Sequence, residues 1–566
     1  MMRRTLAAAL LPVPLLSVPL LSAAATLDVA WWKEGRVQVR QLRDGGVPPR
    51  PFDGSRQVPL GSVWKLFVYV YAVDTGTPLP AYRCTGRDAE EVYCCDAGKS
   101  VERDAALAQS CGPFFAPRRL MIGAAPWRAW WSKRLGGAPA GELAWLATPD
   151  ALVPQRTVRL DSLLRALDSV PAEPRAVAES ALLRVVLDGR GTDTVRWFGS
   201  QLRVKTFSWH ETAERGGAGQ RLGGAAGWLA DGTPVWFGGP GASAGVIRQW
   251  VPRLAAALPP ARPGDSGCVE VDFFARYPIR SVRGLAGSAA EGPLQGRHVV
   301  RFENGSTLAV QGNGEMLLHR DDAGRPRVRG RFAVNEYVAR VVDREGSTAQ
   351  PEAARALAVA ARTYLQQNAR QGAGCQRIAD SSATQRVSAN PATAAALEAA
   401  RWTDQLVIDG ATVRYHRDAA APDTLAWTQA ERHAREGRRF DELLATAWPR
   451  AALTIAGNSG TTCTRLQKNE QWLAHALPRW ERMLRAEAGY ERPAELPGVC
   501  ALAFGAPYSE QSRNRIFMRP LATREDRITL AHEYLHIGLR RHPRGQDETY
   551  VEQLARRLAD LNPEAP

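Results

Sequence analysis

Lysine is scarce in this chain. Of 73 basic residues only six are lysine, at positions 33, 65, 99, 133, 205 and 468. Arginine therefore carries nearly all the positive charge, and a lysine inside a motif is informative. The eight cysteines never take CxxC spacing, which excludes zinc ribbons and thioredoxin-like redox pairs. Basic clusters interleaved with aromatics are missing, so the net charge of +15 does not read as nucleic-acid binding. Beyond the leader, no apolar run is long enough to cross a bilayer, which excludes a transmembrane segment after signal cleavage.

What is present points to an exported, multidomain α+β protein. A length of 566 residues with 45% hydrophobic content supports about three or four cores. The start, "MMRRTLAAALLPVPLLSVPLLSAAATLDVA", has the order of a secretory signal: Arg3 and Arg4, an apolar run, and a small-residue end at Ala23-x-Ala25. Residues 1–25 are read as a signal peptide, and the mature protein as periplasmic or secreted. In that compartment an even cysteine count reads as disulfides, grouped as 84 to 111, 268 with 375, and 463 with 500, with connectivity open. A basic exported protein meets acidic surfaces such as cell wall or anionic lipid.

The stretch "LPPARPGDSG" (258–267) follows an apparent helix and reads as a linker. A weaker break lies at "AGNSGTTC" (456–463). The expected domains are 26–258, 268–455 and 456–566, with 259–267 between the first two.

In "VPLGSVWKLFVYVYAVDTG", Ser62 starts a helix and Lys65 lies one turn on, followed by apolar residues. Capping explains a serine there. It does not explain a lysine, because a cation is unfavourable at the positive end of the helix dipole. Held in apolar surroundings, Lys65 loses its proton more readily and can accept the Ser62 hydroxyl proton.

These residues resemble the Ser-x-x-Lys motif of the penicillin-recognising serine acyltransferases. Counterparts to that family's second and third motifs are Ser110-Cys111-Gly112 and Lys205-Thr206-Phe207, and "GWLADGTPVWF" turns about Asp231-Gly232 like its hairpin. The resemblance implies a serine acyltransferase-like domain with Ser62, Lys65 and Lys205 as catalytic residues. Gly112 stands where the family has asparagine. Phe207 stands where it has a bare glycine, so the ring is expected to cover the strand along which a β-lactam would lie.

In "FAVNEYVARVVDREGSTAQPEAARALAVAARTYLQQN", a periodic helix breaks at Gly346 and another resumes at Pro351, leaving Glu345 at the lip of an elbow. With "CQRIADSSATQRV" (Cys375, Asp380, Ser381, Gln385), Tyr415 and Gln429 following in order, this stretch resembles the sporulation protein SpoIID and the amidase enhancer LytB. That resemblance implies a SpoIID-like domain acting on peptidoglycan glycan, with Glu345 as the general acid/base of a lytic transglycosylase. The glycine- and serine-rich signatures expected after Tyr415 are replaced by "RDAAAPDT".

Near the C-terminus, "TREDRITLAHEYLHIGLRR" predicts a helix capped at Thr523. His532 and His536 share a face, and Glu533 stands beside them as general base. The HExxH pattern resembles zincin metallopeptidases and implies a small zincin-like α+β domain, an edge strand just before the helix, and zinc as cofactor. Three residues compete as third ligand. Glu548 in "DETYVE", with Glu552 behind it as a supporting acid, follows the gluzincin pattern; Glu552 itself and His542 are the alternatives.

The three-part order resembles uncharacterised secreted bacterial proteins of the YfaQ type, which accompany α2-macroglobulin-like proteins. It implies partners in peptidoglycan, envelope proteins or an α2-macroglobulin-like protein. Two functions follow: an envelope hydrolase with a zinc metallopeptidase end and a glycan-cleaving middle, or a non-enzymatic periplasmic adaptor built of degenerate domains.

Overall fold

The computed structural model describes residues 25–561 apart from 47, 187–192, 211–220, 260–266, 286, 372–374, 417, 419–423, 450, 456–464, 494, 503–506, 512–513, 541 and 546. Nearly all of the leader, most of the 259–267 linker, the 456–463 break, Cys463 and most of "RDAAAPDT" therefore lie outside the described residues.

The chain is multidomain α+β. Its N-terminal part is built on an antiparallel sheet whose strands run, edge to edge, Arg36–Arg43, Thr26–Lys33, Pro234–Pro240, Arg221–Leu229 and Leu202–His210. The turn at Asp231 is fastened by its carboxylate, which accepts the Thr233 N–H. The last helix of this part, Ser243–Ala257, packs Val246, Ile247, Trp250 and Leu254 into a core on one face of the sheet. On the other lies the helix Trp64–Thr75, whose residues 64–72 are all buried; Ser62 stands not in it, as expected, but in the 3-10 turn Gly61–Val63 that leads into it. A helix apolar on every side is stable only when enclosed, and aromatic rings enclose this one: Phe67 meets Trp131 and Trp145, and Tyr71 meets Trp127 and Trp130. Each fully buried apolar side chain there contributes about 1.5–3 kcal/mol.

The middle part has an eight-stranded sheet, in which Cys268–Phe273 runs parallel to Cys375–Ala379 and antiparallel to Pro326–Ala333. Helices Val334–Glu345 and Pro351–Asn368 meet at the elbow read from the sequence. The C-terminal part carries helices Gln467–Leu484, Arg524–Gly538 and Glu548–Asp560 around a three-stranded sheet. Thr523 and Asp526 cap the second of these helices reciprocally. The strand directly before it, Arg515–Met518, is not the expected edge but the centre of its sheet; the edge facing the helix is Tyr508–Glu510. A strand carrying the apolar Ile516, Phe517 and Met518, all buried, is better paired on both sides.

Disulfides join Cys84 to Cys95, Cys94 to Cys111 and Cys268 to Cys375, and Cys500 is also disulfide-bonded. The third pair sits at matched positions of the parallel strands.

The three parts are knitted together. Val185–Val186 pairs with Ala452–Ile455, which pairs in turn with Leu406–Asp409, and Leu183 and Val195 pack into the middle core. At the end of that small sheet the Asp409 carboxylate accepts from Arg184 Nη1 at 3.2 Å and from Tyr508 Oη at 2.9 Å. One acid thus joins segments from all three parts. Asp409→Ala leaves both donors without this acceptor and is expected to lower stability by about 1–3 kcal/mol, read by chemical denaturation. Native-state hydrogen exchange should rise in Tyr508–Glu510; unchanged exchange there would remove Asp409 from this role.

Candidate functional site

The helix Arg524–Gly538 presents His532 and His536 one turn apart, their rings 4.8 Å between centroids. The Nε2 atoms lie 3.1 Å from each other. Each ring is held from behind. His532 Nδ1 meets Glu552 Oε2 at 3.0 Å, and His536 Nδ1 meets the Gly545 carbonyl at 3.3 Å. Gly545 is required for that contact, because a Cβ there would stand 2.1 Å from the Leu539 carbonyl oxygen. The return helix, N-capped by Asp547, brings Glu548 to the Nε2 side, with Oε2 3.0 Å from His532 Nε2 and Oε1 3.3 Å from His536 Nε2. His532, His536 and Glu548 offer donor atoms within 4.8 Å of one another. His542 instead stacks on Tyr550 and meets its hydroxyl at 3.4 Å, beside Glu487.

This donor set suits zinc. Burial lowers the proton affinity of both imidazoles, keeping them neutral as ligands must be. Each is oriented through the nitrogen that faces away, the usual arrangement of ligating histidines. Glu533 is 5% exposed. Burial pushes its carboxyl up to about 7, against Ser509 and the charge of Arg414, and its Oε2 has no hydrogen-bond partner among the described residues.

Sequence reasoning missed Arg414. It lies on the short strand Arg414–His416 of the middle part, and its guanidinium pairs with Glu548 Oε1. Its neighbour Tyr415 faces the elbow. The Tyr415 hydroxyl accepts from Gln385 Nε2 at 2.7 Å, while Gln385 Oε1 accepts from Tyr337. One strand therefore sends consecutive residues toward two candidate sites.

At the elbow, Glu345 Oε1 accepts the Arg386 N–H at 2.7 Å. That N–H is delivered by a loop that Asp380 fastens, its carboxylate taking the backbone N–H groups of Val387 and Phe274. Burial raises the Glu345 carboxyl, opposed by the Arg386 N–H and the charges of Arg386 and Arg344, while Asp380 adds to the rise. Asp380, Gln385 and Tyr415 thus gather around Glu345. Ser381 bonds Thr384 within the same loop, Cys375 is in its disulfide, and Gln429 is half-buried on the helix Trp427–Arg435.

Ser62 and Lys65 line a cleft of about 1830 Å³ together with Ser110, Thr206 and Leu502, and Lys205 lines a separate cavity of about 60 Å³ that shares Ala108, Thr206 and Ser243 with it. Lys65 Nζ donates to the Ser110 carbonyl at 2.7 Å and lies 3.2 Å from Ser110 Oγ and 3.4 Å from Ser62 Oγ. Burial pulls Lys65 down to about 8 and Lys205, next to it in charge, to about 7. Phe207 lines this cleft, with its ring sunk into the core beneath it. The ring is 1% exposed, stacks on Trp236, and fills the space over Gly61, whose φ is +47°. Alternation along the strand puts Phe207 on the same inward face as Lys205.

The family model described as "Predicted secreted protein (DUF2300)" matches residues 86–216 and 423–544, and that described as "Stage II sporulation protein" (SpoIID) matches 324–409. The first spans Ser110, Lys205, His532 and His536; the second spans Glu345. Neither description names a metallopeptidase. The "Uncharacterized protein YfaQ" of Escherichia coli (strain K12) is 42% identical over 548 residues, covering 96% of this chain and 97% of its own. A class D beta-lactamase from Sebaldella termitidis is similar at 11% identity and a TM-score of 0.26, over 41% of this chain and 89% of that one. A peptidoglycan synthetase from Bifidobacterium adolescentis is similar at 12% and 0.27, over 43% and 59%.

Because the Phe207 ring is core, Phe207→Ala is expected to cost about 3–5 kcal/mol of stability, measured by denaturant unfolding. A variant as stable as wild type would mean that the ring is not part of the core.

Proposed function

The chain belongs to the family of secreted proteins that includes YfaQ of Escherichia coli, and on that premise we propose that it is an envelope hydrolase, with a metal-dependent peptidase centre at its C-terminal end and a glycan-cleaving site at Glu345. One observation carries the peptidase reading: the Nε2 atoms of His532 and His536 and the Glu548 carboxylate converge within 4.8 Å. The SpoIID match over 324–409 supports peptidoglycan as the substrate of the middle part.

His532, His536 and Glu548 would hold zinc, which when bound supplies Lewis-acid polarisation of a carbonyl and a more acidic water. Glu552 and the Gly545 carbonyl fix the two rings so that both Nε2 atoms face one point. Glu533 takes the proton of the attacking water at its unpartnered Oε2 and returns it to the leaving amine. A carboxyl with its proton affinity raised by burial suits that exchange near neutral pH. Arg414 places a positive charge at the edge of the centre, where an anionic group of a substrate would be drawn.

The rival reading is a non-enzymatic periplasmic adaptor that binds cell wall or an α2-macroglobulin-like partner. The observation that favours it is the Arg414–Glu548 ion pair, which gives the candidate ligand a positive partner other than a metal.

Metal analysis decides between them. Purified mature protein with its disulfides formed is expected to hold about one zinc per chain. Glu533→Gln should keep the metal and lose peptidase activity, and His536→Ala should lose both. Glu548→Ala should strip the metal, whereas Glu552→Ala should weaken it by about 10 to 100-fold. Wild-type protein that binds no zinc would end the peptidase reading.

For the elbow, incubation with peptide-free glycan strands is expected to release anhydro-muramyl ends, and Glu345→Gln, which cannot exchange the proton, should release none. Equal release by both would exclude Glu345.

A further inference from the structure

The serine cleft holds an acid that the sequence motifs do not contain. A side chain built on Gly112 would begin 1.7 Å from Glu90 Oε2 and 3.6 Å from Lys65 Nζ. The Glu90 carboxylate thus fills the space that a residue at 112 would need, on the side where Lys65 ends. We infer that Glu90 is a positioning residue of this cleft, set there to hold the proton of Lys65 in place of a neutral side chain at position 112.

The placement is built in. Glu90 lies in the turn Ala89–Tyr93, which Asp88 caps by accepting the Glu90 N–H at 2.8 Å. Its neighbour Glu91 points the other way and is buried, accepting from Tyr82 Oη at 2.6 Å and from the Thr85 N–H at 2.9 Å. Directly after the turn, Cys94 is bonded to Cys111, the residue between Ser110 and Gly112. The second disulfide, Cys84 to Cys95, closes the far side. An anchored neighbour and a covalent tie therefore fix Glu90 against the segment that supplies both oxygens to Lys65. Ser110 is held there with a φ of +70°.

The groups facing Lys65 are few. Its own helix contributes no other charge among the buried residues 64–72. The strand Leu202–His210 contributes Lys205, which burial and the Lys65 charge push down, and the turn contributes Glu90, whose charge favours a proton on Lys65. Arg103 and Asp104 face Tyr69, one turn further along the helix. In transfer of an acyl group, Ser62 Oγ bonds to the carbonyl carbon as its bond to the leaving nitrogen breaks; the hydroxyl proton passes to Lys65 Nζ and then to that nitrogen. Lys65 must be neutral before the step and cationic within it. A carboxylate beside it stabilises the cationic form, which a neutral amide at position 112 does without net charge.

The cleft shares no residue with the metal centre, so its test stands apart. Trace acetylation with acetic anhydride across pH, read by peptide mass spectrometry, gives the titration midpoint of Lys65 whatever the substrate, with exposed Lys133 as internal reference. The wild-type midpoint is expected at about 8. Removing the negative charge destabilises the ammonium form, so Glu90→Gln should move the midpoint down by roughly one unit. Glu90→Asp should stay near wild type, and Lys133 should not move. Glu90→Ala combined with Gly112→Asn refills the vacated space with an amide. This double variant should keep the wild-type melting temperature and still show the lowered midpoint, which separates charge from packing if Glu90→Gln is itself less stable. A Lys65 midpoint unchanged in both variants would overturn the inference.

Discussion

The Asp409 carboxylate stands where the three parts of the chain meet, and the candidate sites depend on that meeting. It takes one hydrogen bond from Arg184 and one from Tyr508, and Tyr508 opens the strand whose Ser509 lies against Glu533. The same apposition lets Arg414 of the middle part reach Glu548 of the C-terminal part. A candidate metal site whose surroundings come partly from another part of the chain is shaped by the interface as much as by its own helix pair. Domains joined by mobile linkers alone could not hold such groups within hydrogen-bonding distance.

Charge buried in the middle part is largely met by partners, although Arg362 Nε has none among the described residues. Arg340 and Arg362 are among the largest fully buried side chains. Arg362 donates to the carbonyls of Thr403, Leu406 and Ala400 and to Asn335 Oδ1, while Arg340 donates to Glu336, Glu315 and two carbonyls. Guanidinium groups suit this use because their donors fan out in a plane. Lys65 and Lys205 are a different case. They are buried with fewer acceptors, and burial brings them down to about 8 and about 7, near neutrality, whereas it takes Arg362 only to about 10. The chain's preference for arginine thus divides labour: arginine knits the structure, and two of its few lysines are left chemically responsive.

The sequence made legible what is local. Helical periodicity placed Ser62 against Lys65 and His532 against His536. Thr523 and Asp547 marked the starts of the helices that carry the histidines and Glu548. Gly346 and Pro351 marked the elbow. What stayed hidden comes from distant chain. Nothing in the pattern distinguishes Arg414 among dozens of arginines, because its importance arises only when the middle part docks. Glu90 left one trace, its place beside the Cys94-Cys95 pair, since a disulfide to Cys111 necessarily brings its turn to Ser110. The orientation of Phe207 was available in principle: if Lys205 points inward on a strand, so does the residue two further on. The strand before the HExxH helix reads as an edge from the sequence, because its second partner is Tyr508–Glu510, too short and polar to read as a strand.

The disulfide between Cys94 and Cys111 ties the order of biogenesis to the order of the cleft. Thiols stay reduced in a cytosol and pair only once a chain has entered an oxidising compartment. Before that passage the acidic turn that carries Glu90 lacks its covalent hold. The compartment itself is then the last component of the site: a nascent chain carries an unfinished version, and secretion completes it.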